Sequence, residues 1–298
     1  MDLFADPASV LDGGLATELE RRGNDLSDAL WSARLLVDDP EEIRAAHDTF
    51  FGAGAVVATT ATYQASFDGF AERGIDHRDA ARLMRLAVDL ATAARDARAD
   101  DGVRRWVAAS VGPYGAALAD GSEYRGRYGL SATELTDWHA PRLDILCETD
   151  ADVLALETVP DADEAAALVQ AMSGRTLPAW LSYTIDGDRT RAGQPLVDAF
   201  SVVADSPEIV AVGINCCAPR DVGPAVRIAR EVTGKPVVAY PNSGEGWVDR
   251  HWAGTSTFDT SLVPAWVDAG VVAVGGCCRV TPADITALTR TLQRARSG

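Results

Sequence analysis

Apolar positions along the chain follow two rhythms. Short, near-continuous apolar and β-branched runs occupy 10–11, 55–60, 106–111, 153–158, 178–184, 209–216, 236–240 and 271–277. That pattern belongs to parallel strands covered on both faces. Between the runs lie Ala-rich stretches with helical spacing at 40–51, 76–99, 131–149, 161–172, 195–204, 223–233, 259–269 and 282–296. Their starts carry helix signals: Asp39 ahead of Pro40 as a cap, Glu41-Glu42 in the first turn, and Ser131 with Glu134 at capping-box spacing. Strand and helix alternating in this way predict an α/β chain, a single (β/α)8 barrel spanning 1–298. An open doubly wound sheet is the alternative. Against its nucleotide-binding form, Asp12-Gly13-Gly14-Leu15-Ala16 after the first strand lacks the G-x-G-x-x-G spacing.

Composition narrows the setting. The 298 residues are 47% hydrophobic, enough for a full core. No apolar run reaches the roughly 18 residues of a membrane span, and no basic segment leads into an apolar stretch at the N-terminus. A cytoplasmic protein with no membrane partner is the expectation. The formal charge of −17, from 44 acidic and 27 basic residues, argues against nucleic acid as a partner.

The chemistry-bearing residues gather at the C-terminal ends of the predicted strands, the end at which barrel enzymes carry their sites. Four of the five cysteines form two adjacent pairs, Cys216-Cys217 and Cys277-Cys278. Strands six and eight are separated by one strand, so their tips lie roughly 10 Å apart, within reach of inward-leaning side chains. Thiolates from Cys216, Cys277 and Cys278 would leave the fourth tetrahedral position of a zinc ion open to substrate. Gly275-Gly276 would let the backbone leave strand geometry there, so that two successive cysteines face one centre. Core packing and redox chemistry are the competing readings. Cys217 could replace Cys216 but not easily join it, and Cys147, alone in a helix, reads as core.

Asp12 ends the first strand, and Glu157 ends the apolar run Val153-Leu154-Ala155-Leu156. Two carboxylates on one pocket suit an ammonium group, and the amides of Gly13 and Gly14 suit a carboxylate, so together they would read an amino acid; an internal salt bridge or a capping role is the alternative for each acid. Tyr63, Tyr114, Tyr124, Tyr128, Tyr240, Trp247 and Trp252 fall in the same rim loops, where loop packing competes with enclosure of a cationic ligand. The four histidines, His47, His77, His139 and His251, form no triad and read as surface or satisfied residues.

Taken together, Leu11-Asp12-Gly13-Gly14, Thr60-Ala61-Thr62-Tyr63-Gln64-Ala65-Ser66, Leu156-Glu157-Thr158, Gly213-Ile214-Asn215-Cys216 and Gly275-Gly276-Cys277-Cys278-Arg279 resemble the homocysteine S-methyltransferase family over nearly the whole chain. The resemblance implies a zinc-bearing barrel with Cys216, Cys277 and Cys278 as ligands. It puts the amino group of homocysteine near Asp12 and Glu157 and its carboxylate near Gly13, Gly14 and Thr60. Cys217 stands where relatives usually have another residue and is given no role. The segments 112–115, 120–124 and 240–245 resemble the branch using S-methylmethionine or S-adenosylmethionine. The short run beyond the last strand fits that branch better than the betaine-using one, and no cobalamin module follows.

The implied reaction is direct methyl transfer from a sulfonium donor to the homocysteine thiol, giving methionine. Tyr63, Gln64, Tyr114, Asn215, Tyr240 and Asn242 are the expected donor pocket. Rival readings are a betaine-using enzyme, a phosphate-binding barrel lyase or isomerase using Gly275, Gly276 and Arg279, and a non-catalytic zinc protein with four protein ligands.

Overall fold

The computed structural model describes residues 2–4, 9–26, 31–248 and 251–297. Its main sheet has eight parallel strands: β1 (Ser9–Val10), β2 (Val57–Thr59), β3 (Trp106–Val111), β4 (Val153–Val159), β5 (Ala179–Tyr183), β6 (Ile209–Asn215), β7 (Val237–Tyr240) and β8 (Val271–Val274). Each strand pairs with the next in sequence, and β8 pairs with β1. The ring closes where Leu11 bridges Val57 and the Val56 amide donates to the Val10 carbonyl at 2.7 Å. This is the (β/α)8 barrel, and closure removes the open-sheet alternative.

Strand alternation sorts the side chains into two cores. On β4, Leu154 and Leu156 pack outward among the helices, while Val153 and Ala155 face the interior with Trp106, Ala108, Trp180, Ala211, Val238, Tyr240 and Ala273. The same period carries Glu157 inward at the top of β4 and Ser110 inward at the top of β3. Trp180 of β5 donates to the Tyr240 hydroxyl of β7 at 2.9 Å, so the interior is filled rather than hollow.

Helices Pro40–Gly52, His77–Asp96, Ala132–Cys147, Ala162–Met172, Leu196–Ala204, Val222–Thr233, Val263–Ala269 and Pro282–Ser297 cover the outside. Ser131 and Glu134 form the expected capping box. Asp39 precedes Pro40 but its side chain caps nothing. Three short helices at the rim, Leu15–Arg21, Phe67–Glu72 and Tyr114–Leu118, and two antiparallel hairpins after β5 and β7 are additions to the predicted pattern. Each is too short to show a helical or alternating period. Trp247, Trp252 and His251 lie in the hairpin after β7, and their side chains fall outside the described residues. Among the described residues no helix is long and apolar enough to cross a membrane.

The rim segment after β3 is pinned from below by a buried polar network. Glu164 accepts from the Tyr114 amide at 2.6 Å, the Tyr128 hydroxyl at 3.2 Å and His139 Nε2 at 3.0 Å. Arg142 donates to the Gly112 carbonyl and to His139 Nδ1. His139 is therefore neutral with its proton on Nε2; burial pushes its pKa down to about 4. His77 stacks on Phe67 with ring centroids 3.9 Å apart. His47 departs from the sequence reading: it is fully buried and neither ring nitrogen has a partner among the described residues. Its place on the inner face of the helix Pro40–Gly52 drives it into the core.

Candidate active site

β6 and β8 stop short of their apolar runs, and the residues just beyond those two breaks carry the cysteines of the site. β6 ends at Asn215 because Cys216 turns into the left-handed region at φ 47°. β8 ends at Val274, three residues before Cys277. Gly275 and Gly276 keep negative φ; what they supply is room. A Cβ on Gly275 would lie 2.6 Å from the Asp12 carbonyl, and one on Gly276 would overlap the Val280 side chain. The loop after β7 then ties the two cysteine segments together: Cys277 donates its amide to the Pro241 carbonyl at 2.8 Å, Cys278 to Asn242 Oδ1 at 3.1 Å, and Cys216 to the Tyr240 carbonyl at 3.3 Å.

The result is three thiols facing one point. Sγ of Cys216 and Cys278 are 3.8 Å apart, those of Cys277 and Cys278 are 4.0 Å apart, and all three lie within 4.8 Å of one another. Tetrahedral zinc with bonds of about 2.3 Å needs its sulfur ligands about 3.8 Å apart, a spacing that the 3.8 and 4.0 Å pairs match closely. No fourth His, Cys, Asp or Glu joins it among the described residues. Cys217 turns away into the core between barrel and helices and is 1% exposed. Cys147 packs against that same core. Hydrogen bonds from Cys216 and Cys277 hold the Cys278 thiol well below the usual value, the response of a thiol surrounded by donors in a closed space.

Two acids stand nearby. Asp12 accepts from the Thr59 amide at 2.6 Å and the Thr59 hydroxyl at 2.9 Å, and Glu157 accepts from the Ser110 hydroxyl. Burial pushes each carboxyl up to about 7. Neither has a basic partner in the cavity wall. After Glu157, Thr158 adopts a left-handed φ of 59°, and Arg279 after the cysteine pair does the same at 67°. A β-branched residue in that region costs roughly 1–3 kcal/mol and persists only when its surroundings hold it there.

One cavity is walled by Asp12, Gly13, Gly14, Thr60, Tyr63, Glu157, Tyr240 and the three cysteines, all expected at the site, and also by Thr17, Thr59, Glu123 and Tyr124. The other expected donor-pocket residues are not part of its wall. Gln64 is turned to the Ala116 carbonyl at 3.4 Å, and Tyr114 packs on Tyr128 and Trp138. Asn215 is fully buried against Thr158, and Asn242 is occupied by the Cys278 amide. Asn215 Oδ1 and Nδ2 and Asn242 Oδ1 are taken up by scaffolding, whereas Gln64 Oε1 is buried without a partner among the described residues. The Gly14 amide is not open either, since it donates to the Val280 carbonyl at 3.0 Å.

Sequence reasoning gave Glu123 no site role beyond its place in the segment 120–124, and weighed loop packing against enclosure of a cationic ligand for Tyr124. The Tyr124 hydroxyl lies 3.9 Å from Cys216 Sγ, and burial pushes the Glu123 carboxyl up to about 7. Both sit in a 3-10 turn, Ser122–Tyr124, with no periodicity to announce it. The available signal was an acid beside an aromatic residue in an otherwise small-residue loop.

Residues 9–292 match the family described as homocysteine S-methyltransferase. The chain is 44% identical to the homocysteine S-methyltransferase of Escherichia coli, over 94% of this chain and 93% of that one. It is 42% identical to the homocysteine S-methyltransferase YbgG of Bacillus subtilis, over 94% and 92%. Among solved structures it resembles the metallated form of the homocysteine methyltransferase MmuM of Escherichia coli, with a TM-score of 0.87 and 42% identity over 95% of this chain and 96% of that one.

Proposed function

The chain belongs to the homocysteine S-methyltransferase family, and on that premise we propose that it transfers a methyl group from S-methylmethionine to homocysteine, with zinc held by Cys216, Cys277 and Cys278. The observation that carries the reading is the cluster of three thiols at zinc spacing, with no fourth protein ligand among the described residues, opening on a wall of carboxylates. A non-catalytic structural zinc would call for a fourth protein ligand.

Held by Cys216, Cys277 and Cys278, zinc would supply Lewis acidity that lowers the pKa of an incoming thiol, so that its proton is lost to solvent at neutral pH, where a free thiol of pKa about 8.5 is mostly a poor nucleophile. The protein does the rest by placement. Asp12 and Glu157 face the ammonium group of homocysteine, and the carboxylate end fits against Gly13; the Thr60 hydroxyl, expected there too, is engaged by Thr62 and the Ser110 amide. Tyr124 lies over Cys216 and, with Tyr63 and Tyr240, closes the pocket with ring surface. Water is thereby excluded from a reaction whose charges cancel as it proceeds: a sulfur anion and a sulfonium cation both become neutral when the methyl moves. The leaving group is a neutral thioether, so no general acid is needed, and no histidine lines the cavity.

The test is methionine formation by zinc-loaded protein with S-methylmethionine, S-adenosylmethionine or betaine as donor. Fastest turnover with S-methylmethionine is the expected result. Preference for betaine, or bound zinc without turnover of any donor, would overturn the donor assignment.

A further inference from the structure

Four carboxylates line the cavity; Glu20 is exposed, and the other three differ in how they are satisfied. Asp12 and Glu157 each accept hydrogen bonds from neighbouring strand ends. Glu123 lines the same cavity, yet its Oε2 is buried and has no hydrogen-bond partner among the described residues. A buried carboxylate oxygen without a donor is costly, and a site that keeps one keeps it for something. Among the described residues no Lys, Arg or His side chain lines the cavity. Arg125, the cation next to Glu123 in sequence, is an exposed side chain turned to Asp120 at 3.4 Å. A cationic ligand would supply the partner that Oε2 lacks among these residues.

The turn that carries Glu123 is held firmly in place. A Cβ on Gly115 would lie 2.5 Å from the Glu123 amide nitrogen, so the turn sits directly on the helix Tyr114–Leu118, which is itself anchored through Glu164. The next residue, Tyr124, touches Cys216. Glu123 is thus fixed beside the thiols, in a segment after β3 that is separate from the β1 end carrying Asp12 and the β4 end carrying Glu157.

We propose that Glu123 is the specificity-determining residue that receives the α-ammonium group of the methyl donor. The inference rests on the donor reading above and names the group by which that donor is recognised. The ammonium is a better partner than the sulfonium for a physical reason. The sulfonium loses its charge as the methyl leaves, so a carboxylate placed on it would stabilise the ground state more than the transition state. The ammonium keeps its charge throughout, so gripping it anchors the donor equally before and during transfer. The ammonium of homocysteine is already provided for by Asp12 and Glu157.

The experiment compares wild-type and Glu123→Gln protein, both zinc-loaded, with S-methylmethionine and with dimethyl(2-carboxyethyl)sulfonium, which has the reactive centre but no amino group. Uniform binding energy appears in KM and not in kcat. The expected result is a KM for S-methylmethionine raised roughly ten- to hundredfold with kcat nearly unchanged, the size of effect for one charge-assisted hydrogen bond. KM for the amino-free sulfonium and for homocysteine stays as in wild type. Equilibrium dialysis of labelled S-methylmethionine should show the same loss of affinity, at equal zinc content. Unchanged affinity for S-methylmethionine, or equal losses with both donors, would overturn the assignment to the ammonium group. Wild-type protein idle with S-methylmethionine would instead overturn the donor reading itself.

Discussion

Asn215 and Thr158 hold each other by two hydrogen bonds: the Thr158 amide donates to Asn215 Oδ1 at 2.8 Å, and Asn215 Nδ2 donates to the Thr158 hydroxyl at 2.7 Å. The pair joins the strand end that carries Glu157 to the strand end that carries Cys216. It also pays for the left-handed backbone at Thr158. On the proposed reading, homocysteine's amino group and its sulfur meet those two strand ends, and this contact helps to fix their separation.

Asn215→Ala should therefore loosen both ends at once. Removing one partner of a buried pair costs about 1–3 kcal/mol. Urea unfolding should show that loss, and KM for homocysteine should rise while zinc stays bound. A variant with unaltered stability and KM would show that the pair is incidental.

The two acids make homocysteine binding depend on pH. Asp12 and Glu157 have carboxyl groups raised to about 7 by burial, so they are largely protonated at pH 6 and ionised at pH 8. Only the ionised forms attract an ammonium group. Affinity for homocysteine should rise between pH 6 and 8, with protons released on binding at the lower pH, as calorimetry in buffers of different ionisation enthalpy would record. Asp12→Asn should flatten this dependence and raise KM roughly ten- to hundredfold. A flat profile in the wild type would count against the two acids as the ammonium site.

His47 gives a separate stability signature. Burial pushes its pKa down to about 4 from an ordinary 6.5, so between those values the unfolded chain binds the extra proton and stability falls as pH falls. From pH 7 to pH 5 the loss from this residue is about 2 kcal/mol. Denaturant melts of wild type and His47→Leu should therefore diverge on acidification, with the variant holding its stability better. The opposite trends of Asp12 and Glu157 are common to both proteins and cancel in the comparison.

The adjacent cysteines should behave oppositely. Cys216→Ser should lose bound metal and nearly all methyl transfer. Cys217→Ser should keep both and lose only a modest amount of stability, because its thiol packs between β6 and the helices. Metal analysis beside an activity assay separates the two; equal damage from both would mean the cluster is drawn with the wrong member.

The barrel was legible in the sequence because parallel strands buried on both faces read as continuous apolar runs, and Glu157 stood out as a charge ending one. The three thiols were legible for the same reason, as polarisable groups at strand ends. What the pattern hid is how the strands stop. Cys216 takes a left-handed φ, which no apolar run announces, so β6 was drawn too long, and β8 was drawn through Gly275-Gly276, where the strand has already ended. Gln64, Asn215 and Asn242 were expected to face a ligand, yet amides at strand ends are also what ties loops together: Asn215 and Asn242 are used that way, and Gln64 is turned to the Ala116 carbonyl, outside the cavity wall. Glu123 was hidden by a turn too short to have a period.

The central claim is that Cys216, Cys277 and Cys278 hold a zinc ion whose fourth position accepts the sulfur of homocysteine. X-ray absorption at the zinc edge tests it most directly. The account predicts three sulfur neighbours at about 2.3 Å in the zinc-loaded protein, rising to four when homocysteine is added. A sulfur count that stays the same on addition of homocysteine, whether three or four, would contradict it.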